Sequence, residues 1–171
     1  DEQALSRWLI AYTCFYSAGV ASFCAEDPKR FWRRLRKGHE DKWPRGAERR
    51  HFRGGTSDYV TRWFPTEYST AHDAVMYLAG PDRGRTFQRV SKQVQTWKYF
   101  GSWIAFKWAD LIERVMHIPV DFSDCELDFY DAPAKGAKMV AAYYGKPGLS
   151  TAQVVSRLGK AFDGYLAPPW N

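Results

Sequence analysis

The sequence predicts an all-α fold, a single compact multi-helix domain over residues 1–171. Two observations favour this class. No stretch of strand length alternates apolar and polar residues between turn residues. Instead, apolar residues recur at helical spacing between capping residues along most of the chain. The 171 residues suffice for one buried core, and we expect about seven or eight helices.

Capping residues, prolines and glycines set the helix boundaries in the N-terminal half. Asp27 and Pro28 supply the N-cap and the first residue of a second helix, which Gly38 ends. Pro65 stops a third helix, and the Gly80-Pro81 pair stops a fourth. The predicted helices of the whole chain cover residues 2–25, 29–37, 56–64, 69–79, 85–96, 102–116, 133–144 and 150–162.

Similar signals set the boundaries in the C-terminal half. Pro119 ends the helix over 102–116, because proline disfavours α geometry at the residue before it. Pro133 opens the next helix, and Gly145 ends it. Ser150 begins a capping-box sequence that opens the last helix.

The helix over 102–116 is the element around which we expect the chain to fold. Apolar residues fill more than half of its circumference, so other helices have to surround it. The remaining stripe, at spacings of four, three and four, consists of Trp103, Lys107, Asp110 and Arg114. We predict that this stripe faces a functional site. The alternative is a solvent-exposed edge of helical salt bridges.

Positive charge is concentrated in one segment. The chain carries a net charge of +6. Residues 28–54 contain eleven Lys and Arg against three acidic residues, so this segment alone is +8 and the remainder is −2. A near-neutral body with one basic segment is typical of a protein that binds a polyanion.

Cysteine usage and hydropathy bear on the compartment. The three cysteines include no CxxC pair and no Cys/His pair at zinc spacing, which fits a reducing cytosol. Residues 8–25 form an uncharged run of 18, but Ser, Thr, Tyr and Gly dilute it. We interpret this run as a core helix and not as a membrane span or signal segment.

The most basic part of the chain is the loop over 45–55, RGAERRHFRGG. Arginine binds phosphate oxygens with two parallel hydrogen bonds, and glycine lets backbone N–H groups approach an anion. The loop therefore suits a compact anion such as a diphosphate. The alternative is a solvated loop that touches a nucleic-acid backbone non-specifically. Within it, His51 is the histidine best placed for acid–base work, with its pKa lowered by neighbouring arginines.

Two further segments carry candidate residues. Asp121 lies in the apolar sequence Ile-Pro-Val-Asp-Phe, where a carboxylate is unfavourable unless it is paired or used. Lys135 and Gly136 fall in the first turn of the helix predicted from Pro133, where free N–H groups favour anions. A solvated lysine in an ordinary helix start is the alternative for this second segment.

Together these motifs resemble the phage amino acid:DNA transferases, relatives of the alpha-glutamyl/putrescinyl thymine pyrophosphorylases. The resemblance rests on four motifs in the family's order and covers about the last three-quarters of the chain. They are ERRHFRGG at 48–55, FGSWIAFKWADLIERV at 100–115, IPVDF at 118–122 and PAKGA at 133–137. The first two are fairly specific, whereas PAKGA alone is weak.

The resemblance implies a reaction and a fold. The family is implied to act on double-stranded phage DNA whose thymine has become hydroxymethyluracil and then its diphosphate ester. The enzyme joins a free amino acid, through its amine, to the base methylene and expels pyrophosphate. The implied fold is akin to helix-hairpin-helix DNA glycosylases, with the hairpin at 99–102 and the working aspartate at Asp121. The hairpin keeps a single glycine, Gly101.

The resemblance also implies roles for individual residues. The base must leave the duplex and stack on an aromatic side chain, for which Trp103, Trp97 and Tyr99 are candidates. Asp110, His51 and Asp121 are candidate catalytic residues that take the amine's proton. Lys107 or Arg114 is expected to hold the donor's carboxylate. The candidates for binding the diphosphate or substrate are Arg49, Arg50, Arg53, Lys107 and Lys135.

Several points stay open at this stage. A glycosylase-like enzyme that excises a base and a non-catalytic DNA-binding module are the competing functions. Glycine is the first expected donor, with another amino acid or a polyamine behind it. No dedicated metal site or cofactor is expected, although a diphosphate can bring Mg²⁺ with it. We expect no membrane partner, and the family implies the cytoplasm of the infected bacterial host.

Overall fold

The computed structural model describes residues 1–46, 55–80, 84–125 and 130–162. The chain divides into two compact units, Asp1–Asp124 and Cys125–Asn171. The described residues form helices and no strand, with one isolated parallel bridge between Thr86 and Asp121, so the all-α prediction is confirmed. The single domain over 1–171 and its likeness to glycosylases stay predictions. The described residues form ten helices, more than the seven or eight predicted: α1 Glu2–Phe15, α2 Ala18–Ala25, α3 Phe31–Glu40, α4 Gly55–Arg62, α5 Phe64–Glu67, α6 Ala71–Ala79, α7 Phe87–Val94, α8 Ser102–Met116, α9 Asp131–Tyr143 and α10 Thr151–Phe162.

The prediction of one helix over 2–25 is wrong, because the structure has two helices there, α1 and α2. Tyr16 adopts the left-handed conformation, with φ of 50°, and ends α1. Its N–H still donates to the Tyr12 carbonyl, 2.6 Å away. The carbonyl of Phe15 accepts a hydrogen bond from the Gly46 N–H at 2.9 Å. A residue distant in sequence thus provides the hydrogen bond that the last carbonyl of α1 accepts. The local sequence therefore does not predict where α1 ends.

Helix α3 runs past the glycine that was predicted to end it. Gly38 is buried inside α3, and a Cβ there would lie 2.7 Å from the rings of both Phe15 and Trp43. Trp43 also donates its backbone N–H to the Gly38 carbonyl. Gly38 is therefore needed for close packing, and the helix ends two residues later at Glu40.

Prolines and caps shift two other boundaries. Pro65 does not stop a helix but lies in the first turn of the short helix α5, where its missing N–H has no intrahelical partner to lose. Thr70, one residue after the predicted Ser69, caps α6. Its hydroxyl accepts from the Asp73 N–H at 3.1 Å, and the Asp73 carboxylate accepts from the Thr70 N–H at 2.8 Å.

Helix α8 lies in the core of the first unit, with the bounds the sequence predicts. It packs against α7, α1 and α6. Its left-handed C-cap, His117, has φ of 55° and donates its N–H to the Ile112 carbonyl. The buried side chains of α8 are those of Ile104, Ala105, Trp108, Ala109 and Ile112. They lie on one side of the helix, so the polar stripe is left on the other side.

The second unit contains a helical hairpin. Helices α9 and α10 pack around the buried residues Ala137, Ala141 and Val154, with Val140, Leu149 and Leu158 packed against them. The predicted capping box of α10 is present, since Ser150 and Gln153 exchange hydrogen bonds of 2.9 and 3.2 Å. Among the described residues of both units, no helix has the length and apolarity that crossing a membrane requires.

Candidate functional site on helix α8

The first two members of the polar stripe are in contact. The Nζ atom of Lys107 lies 5.3 Å from the centre of the Trp103 ring, a cation–π geometry. The Trp103 ring also stacks with that of Phe106, at 5.9 Å between centroids and 13° between planes. Both Trp103 and Lys107 are half-buried. A half-buried indole next to an ammonium presents a flat apolar surface and a positive charge at one place.

The other two members form an ion pair. The Nε of Arg114 donates to Oδ1 of Asp110 at 2.6 Å, and the side chains are 49% and 30% exposed. The hydrogen bond and the charge of Asp110 raise the pKa of Arg114. The stripe therefore carries cation, carboxylate and cation in order along the helix.

The chain after α8 folds back along the helix. The Val120 N–H lies 3.5 Å from Oε1 of Glu113, and the Phe122 ring lies 6.1 Å from that of Phe106. Glu113 and Phe106 are two turns apart, so the segment runs antiparallel to α8. Asp121 thus lies beside the two turns of α8 that include Asp110.

Asp121 is exposed and held by short-range contacts. Its Oδ1 accepts from the Ser123 N–H at 2.8 Å. Hydrogen bonds from the Ser123 backbone and side chain lower the pKa of Asp121. Its backbone pairs with the start of α7, because Phe87 donates its N–H to the Asp121 carbonyl at 2.8 Å. The Ser123 hydrogen bonds keep the Asp121 carboxylate ionised at neutral pH.

Sequence reasoning missed Arg85, which holds the backbone of the segment that carries Asp121. Arg85 is 7% exposed. Its guanidinium donates to the carbonyls of Ala79, Pro119 and Gly80 at 2.8, 3.2 and 3.3 Å. It joins the end of α6 to the segment that carries Asp121. The sequence places Arg85 at the start of a polar helix, and no signal there distinguishes a buried arginine from a solvated one.

Of the two other candidate stacking residues, one is buried and one exposed. Trp97 is 3% exposed, donates from Nε1 to the Tyr68 hydroxyl at 2.8 Å and packs on Phe64 and Trp108. It is a core residue, so its proposed stacking role is wrong. Tyr99 is 57% exposed, with φ of 71° and Lys98 Nζ 5.1 Å from its ring centre. Tyr99 precedes α8 in the segment predicted to be the hairpin, and its stacking role stays a prediction.

The candidates of the basic loop lie outside the described residues. These are Arg49, Arg50, His51 and Arg53. The entrance to the loop is described. Arg45 Nη2 lies 3.2 Å from His39 Nδ1, and its guanidinium lies 5.6 Å from the Phe15 ring centre. Burial and the charge of Arg45 lower the pKa of His39.

Lys135 lies in the second unit and is exposed. Helix α9 begins at Asp131, before the predicted Pro133, so Lys135 falls in the second turn and not in the first. The Ala134 N–H already donates to the Tyr130 carbonyl. The argument from free N–H groups at a helix start is therefore wrong for this lysine, and its role in binding substrate stays a prediction.

Cys14 and Cys24 are free cysteines buried in the first unit. Burial raises the pKa of Cys24 to about 11, and burial raises that of Cys14 as well, so neither is an activated nucleophile. In the described part of the chain, His, Cys, Asp and Glu side chains form no group of three that can hold a metal ion.

Comparison with known proteins gives three findings. The family model described as amino acid:DNA transferase matches residues 2–165. The chain is 38% identical over 146 residues to a glycinyltransferase of Pseudomonas phage PaMx11, a match that covers 80% of the chain and 49% of that relative. It is 26% identical over 141 residues to a putrescinyltransferase of Delftia phage PhiW-14, covering 81% of the chain and 44% of that relative. The chain spans about half the length of these curated relatives.

Proposed function

Because the chain belongs to the amino acid:DNA transferase family, as its motifs predict, we propose that it transfers glycine to thymine-derived bases in phage DNA. The acceptor is the methylene of diphosphorylated hydroxymethyluracil. The glycine amine forms the new carbon–nitrogen bond, and the bond from the methylene carbon to the diphosphate oxygen breaks. Pyrophosphate leaves with the bonding electrons, and the amine loses a proton to a base.

The polar stripe of α8 is the observation that carries this proposal. A free amino acid is a zwitterion and needs a cation for its carboxylate and an anion for its ammonium. Lys107, Asp110 and Arg114 supply both signs on one exposed face of an otherwise buried helix. The half-buried Trp103 ring beside Lys107 offers a surface on which an extruded base can stack.

The stripe also supports glycine over a polyamine. Lys107 and Arg114 favour a donor with a carboxylate, whereas a polyamine carries only positive charges and would need acidic partners. The relative from Pseudomonas phage PaMx11 is named a glycinyltransferase, and the chain is more similar to it than to the putrescinyltransferase relative. The smallest amino acid is therefore the proposed donor.

We assign the remaining steps to residues by their chemistry. Asp121, with its lowered pKa, suits the binding of the donor ammonium. Asp110 and His51 are the proposed proton acceptors. Arg49, Arg50, Arg53 and Lys135 are proposed to hold the diphosphate and to stabilise its charge as it leaves. Mg²⁺ bound to the diphosphate would share that task. The phage relatives support action inside the infected bacterial host.

The test is mass spectrometry of nucleosides from DNA that carries diphosphorylated hydroxymethyluracil. The DNA is incubated with the protein and a mixture of amino acids and polyamines, with and without Mg²⁺. A nucleoside heavier than 5-hydroxymethyldeoxyuridine by one glycine residue, with stoichiometric pyrophosphate, is expected. An abasic site would indicate base excision instead. An intact ester on DNA that is still bound would indicate a binding module.

A further inference from the structure

The hairpin of α9 and α10 is strongly basic. Residues 130–162 contain one acidic residue, Asp131, against five basic ones. These are Lys135, Lys138, Lys146, Arg157 and Lys160. The hairpin therefore carries +4, although the chain outside it and outside the basic segment 28–54 is net acidic. A second concentration of positive charge, separate in sequence from the first, indicates a second contact with a polyanion.

Exposed aromatic rings accompany this charge. Tyr143 is 84% exposed and Tyr144 is 69% exposed, and their rings meet edge to face at 5.1 Å between centroids. Met139, four residues before Tyr143, is 73% exposed. Lys135 lies a further four residues back, so these side chains share one stripe of α9. Large rings held in solvent beside lysines are typical of surfaces that stack on unpaired bases.

A lysine lies in the turn that ends α9. Gly145 has φ of 67°, a conformation that glycine adopts without strain. The turn lets Lys146 donate its N–H to the Ala141 carbonyl at 2.8 Å. Lys146 therefore follows the two exposed rings after a single residue, Gly145.

A groove of about 380 Å³ opens between α9 and α10. Val140, Leu149 and Leu158, which pack on the hairpin core, line it, together with Lys146 and Arg157. Its volume is at the lower end of the roughly 300–1,000 Å³ of small-molecule sites. The groove has room for one flat group such as a base, with cations beside it for the adjoining phosphates.

We propose that this α9–α10 surface binds unpaired nucleotides of the substrate DNA. Bases stack on Tyr143 and Tyr144, and Lys146 and Arg157 neutralise phosphates. The inference rests on the proposed function for the identity of the polyanion. It gives the hairpin a role in holding the strand that base extrusion leaves unpaired.

The chemistry of α9 favours nucleic acid over an anionic membrane. Apart from Met139 and Tyr143, the exposed side chains of α9 are charged or as small as Ala132 and Ala142. Helices that lie in a membrane surface present broad rows of Leu, Phe or Trp. Two adjacent tyrosines with cations suit stacking and phosphate contacts instead.

The test measures binding of the full chain to a short, unmodified, fluorescently labelled single strand and to its duplex, by anisotropy at several salt concentrations. Replacing both Tyr143 and Tyr144 with Ala is expected to weaken single-strand binding at least tenfold, and replacing both with Phe is expected to preserve it. Trp63→Ala is the matched control, since Trp63 is 55% exposed in the other unit. Lys146→Glu is expected to weaken binding and reduce the salt dependence more than Lys92→Glu, which makes the same charge change on α7.

Two outcomes would overturn the proposal. One is a loss with the tyrosine variants no larger than with Trp63→Ala. The other is unchanged DNA binding combined with lost binding to vesicles that contain phosphatidylglycerol, which would make the hairpin a membrane contact. Because the DNA is unmodified and no donor is present, the result does not depend on transfer. A protein without transferase activity whose tyrosine variants lose single-strand binding would refute the proposed function and leave this surface intact.

Discussion

Arg114 donates a 2.6 Å hydrogen bond to Asp110 across one turn of α8, at the exposed edge of a helix whose opposite side is buried. Such exposed i,i+4 pairs contribute only about 0.3–0.5 kcal/mol to stability. The burial of side chains such as Trp108 and Ile112 contributes several times more. The pair therefore adds little to folding, so a change in transfer on replacing Asp110 can be measured apart from a change in stability.

Replacing Asp110 with Asn should abolish most of the glycine transfer while the protein stays folded. Asn keeps the shape of the side chain but loses the negative charge that the donor ammonium or its proton requires. We expect kcat/KM to fall at least a hundredfold, which corresponds to about 2.7 kcal/mol, and the melting temperature to change little. Steady-state kinetics on the diphosphorylated DNA and thermal unfolding measure the two effects.

A matched control exists on α4. Asp58 and Arg62 form the same i,i+4 pair at 2.7 Å, with side chains 47% and 67% exposed. Asp58→Asn therefore removes an equivalent surface pair away from the stripe, and it should leave transfer unchanged. Equal losses of activity in the two variants would show that Asp110 acts only through the fold.

Trp103 should be needed for transfer to DNA and not for the stability of the folded protein. Its ring is half-buried and stacks on Phe106. If an extruded base stacks on it, Trp103→Ala should lower kcat/KM by about tenfold or more, since base–aromatic stacking contributes about 1–3 kcal/mol per base. Trp103→Phe should keep most of the activity. An alanine variant with full activity would remove Trp103 from the site.

Trp97 should show the reverse pattern. It is 3% exposed and its indole N–H donates to Tyr68. Trp97→Ala should destabilise the protein by about 3–5 kcal/mol, the usual range for deleting a buried aromatic side chain. Urea unfolding monitored by circular dichroism measures this change. A stable Trp97→Ala protein that had lost DNA binding would contradict the core assignment.

The two tryptophans illustrate how far the sequence predicts the site. They are six residues apart, and both follow polar residues, so sequence alone assigns them the same candidate role. Trp103 belongs to a helix whose buried side is evident from periodicity, and its orientation was therefore predictable. Trp97 lies in the turn between α7 and α8, where no periodicity exists, and its burial depends on Phe64 and Tyr68 from distant sequence.

The fold shows the same division between local and distant causes. Helix α8 has the predicted bounds because the apolar pattern that forms it and the proline that ends it both lie in its own stretch of sequence. The break at Tyr16 and the continuation of α3 through Gly38 were not predictable, because both depend on the packing of Gly46 and Trp43 against α1 and α3. The position of the segment that carries Asp121 along α8 likewise required the contact of Phe122 with Phe106 and the buried guanidinium of Arg85.

His39 should make stability depend on pH near the entrance of the basic loop. Its Nδ1 faces Arg45, and burial together with the Arg45 charge lowers its pKa below the ordinary value of 6.5. The unfolded chain therefore binds a proton more readily than the folded protein, and stability rises with pH across this interval. The contribution is fully present above about pH 6.5 and is lost as pH falls toward the lowered pKa.

Melting temperatures at pH 5.0, 6.0 and 7.0 should rise less steeply for His39→Gln, whose amide oxygen accepts from Arg45 without titrating. His72→Gln is the control, since His72 Nδ1 lies 3.0 Å from the Ser6 hydroxyl. If His39→Gln kept the slope of the parent protein, the pH dependence would have to come from other groups.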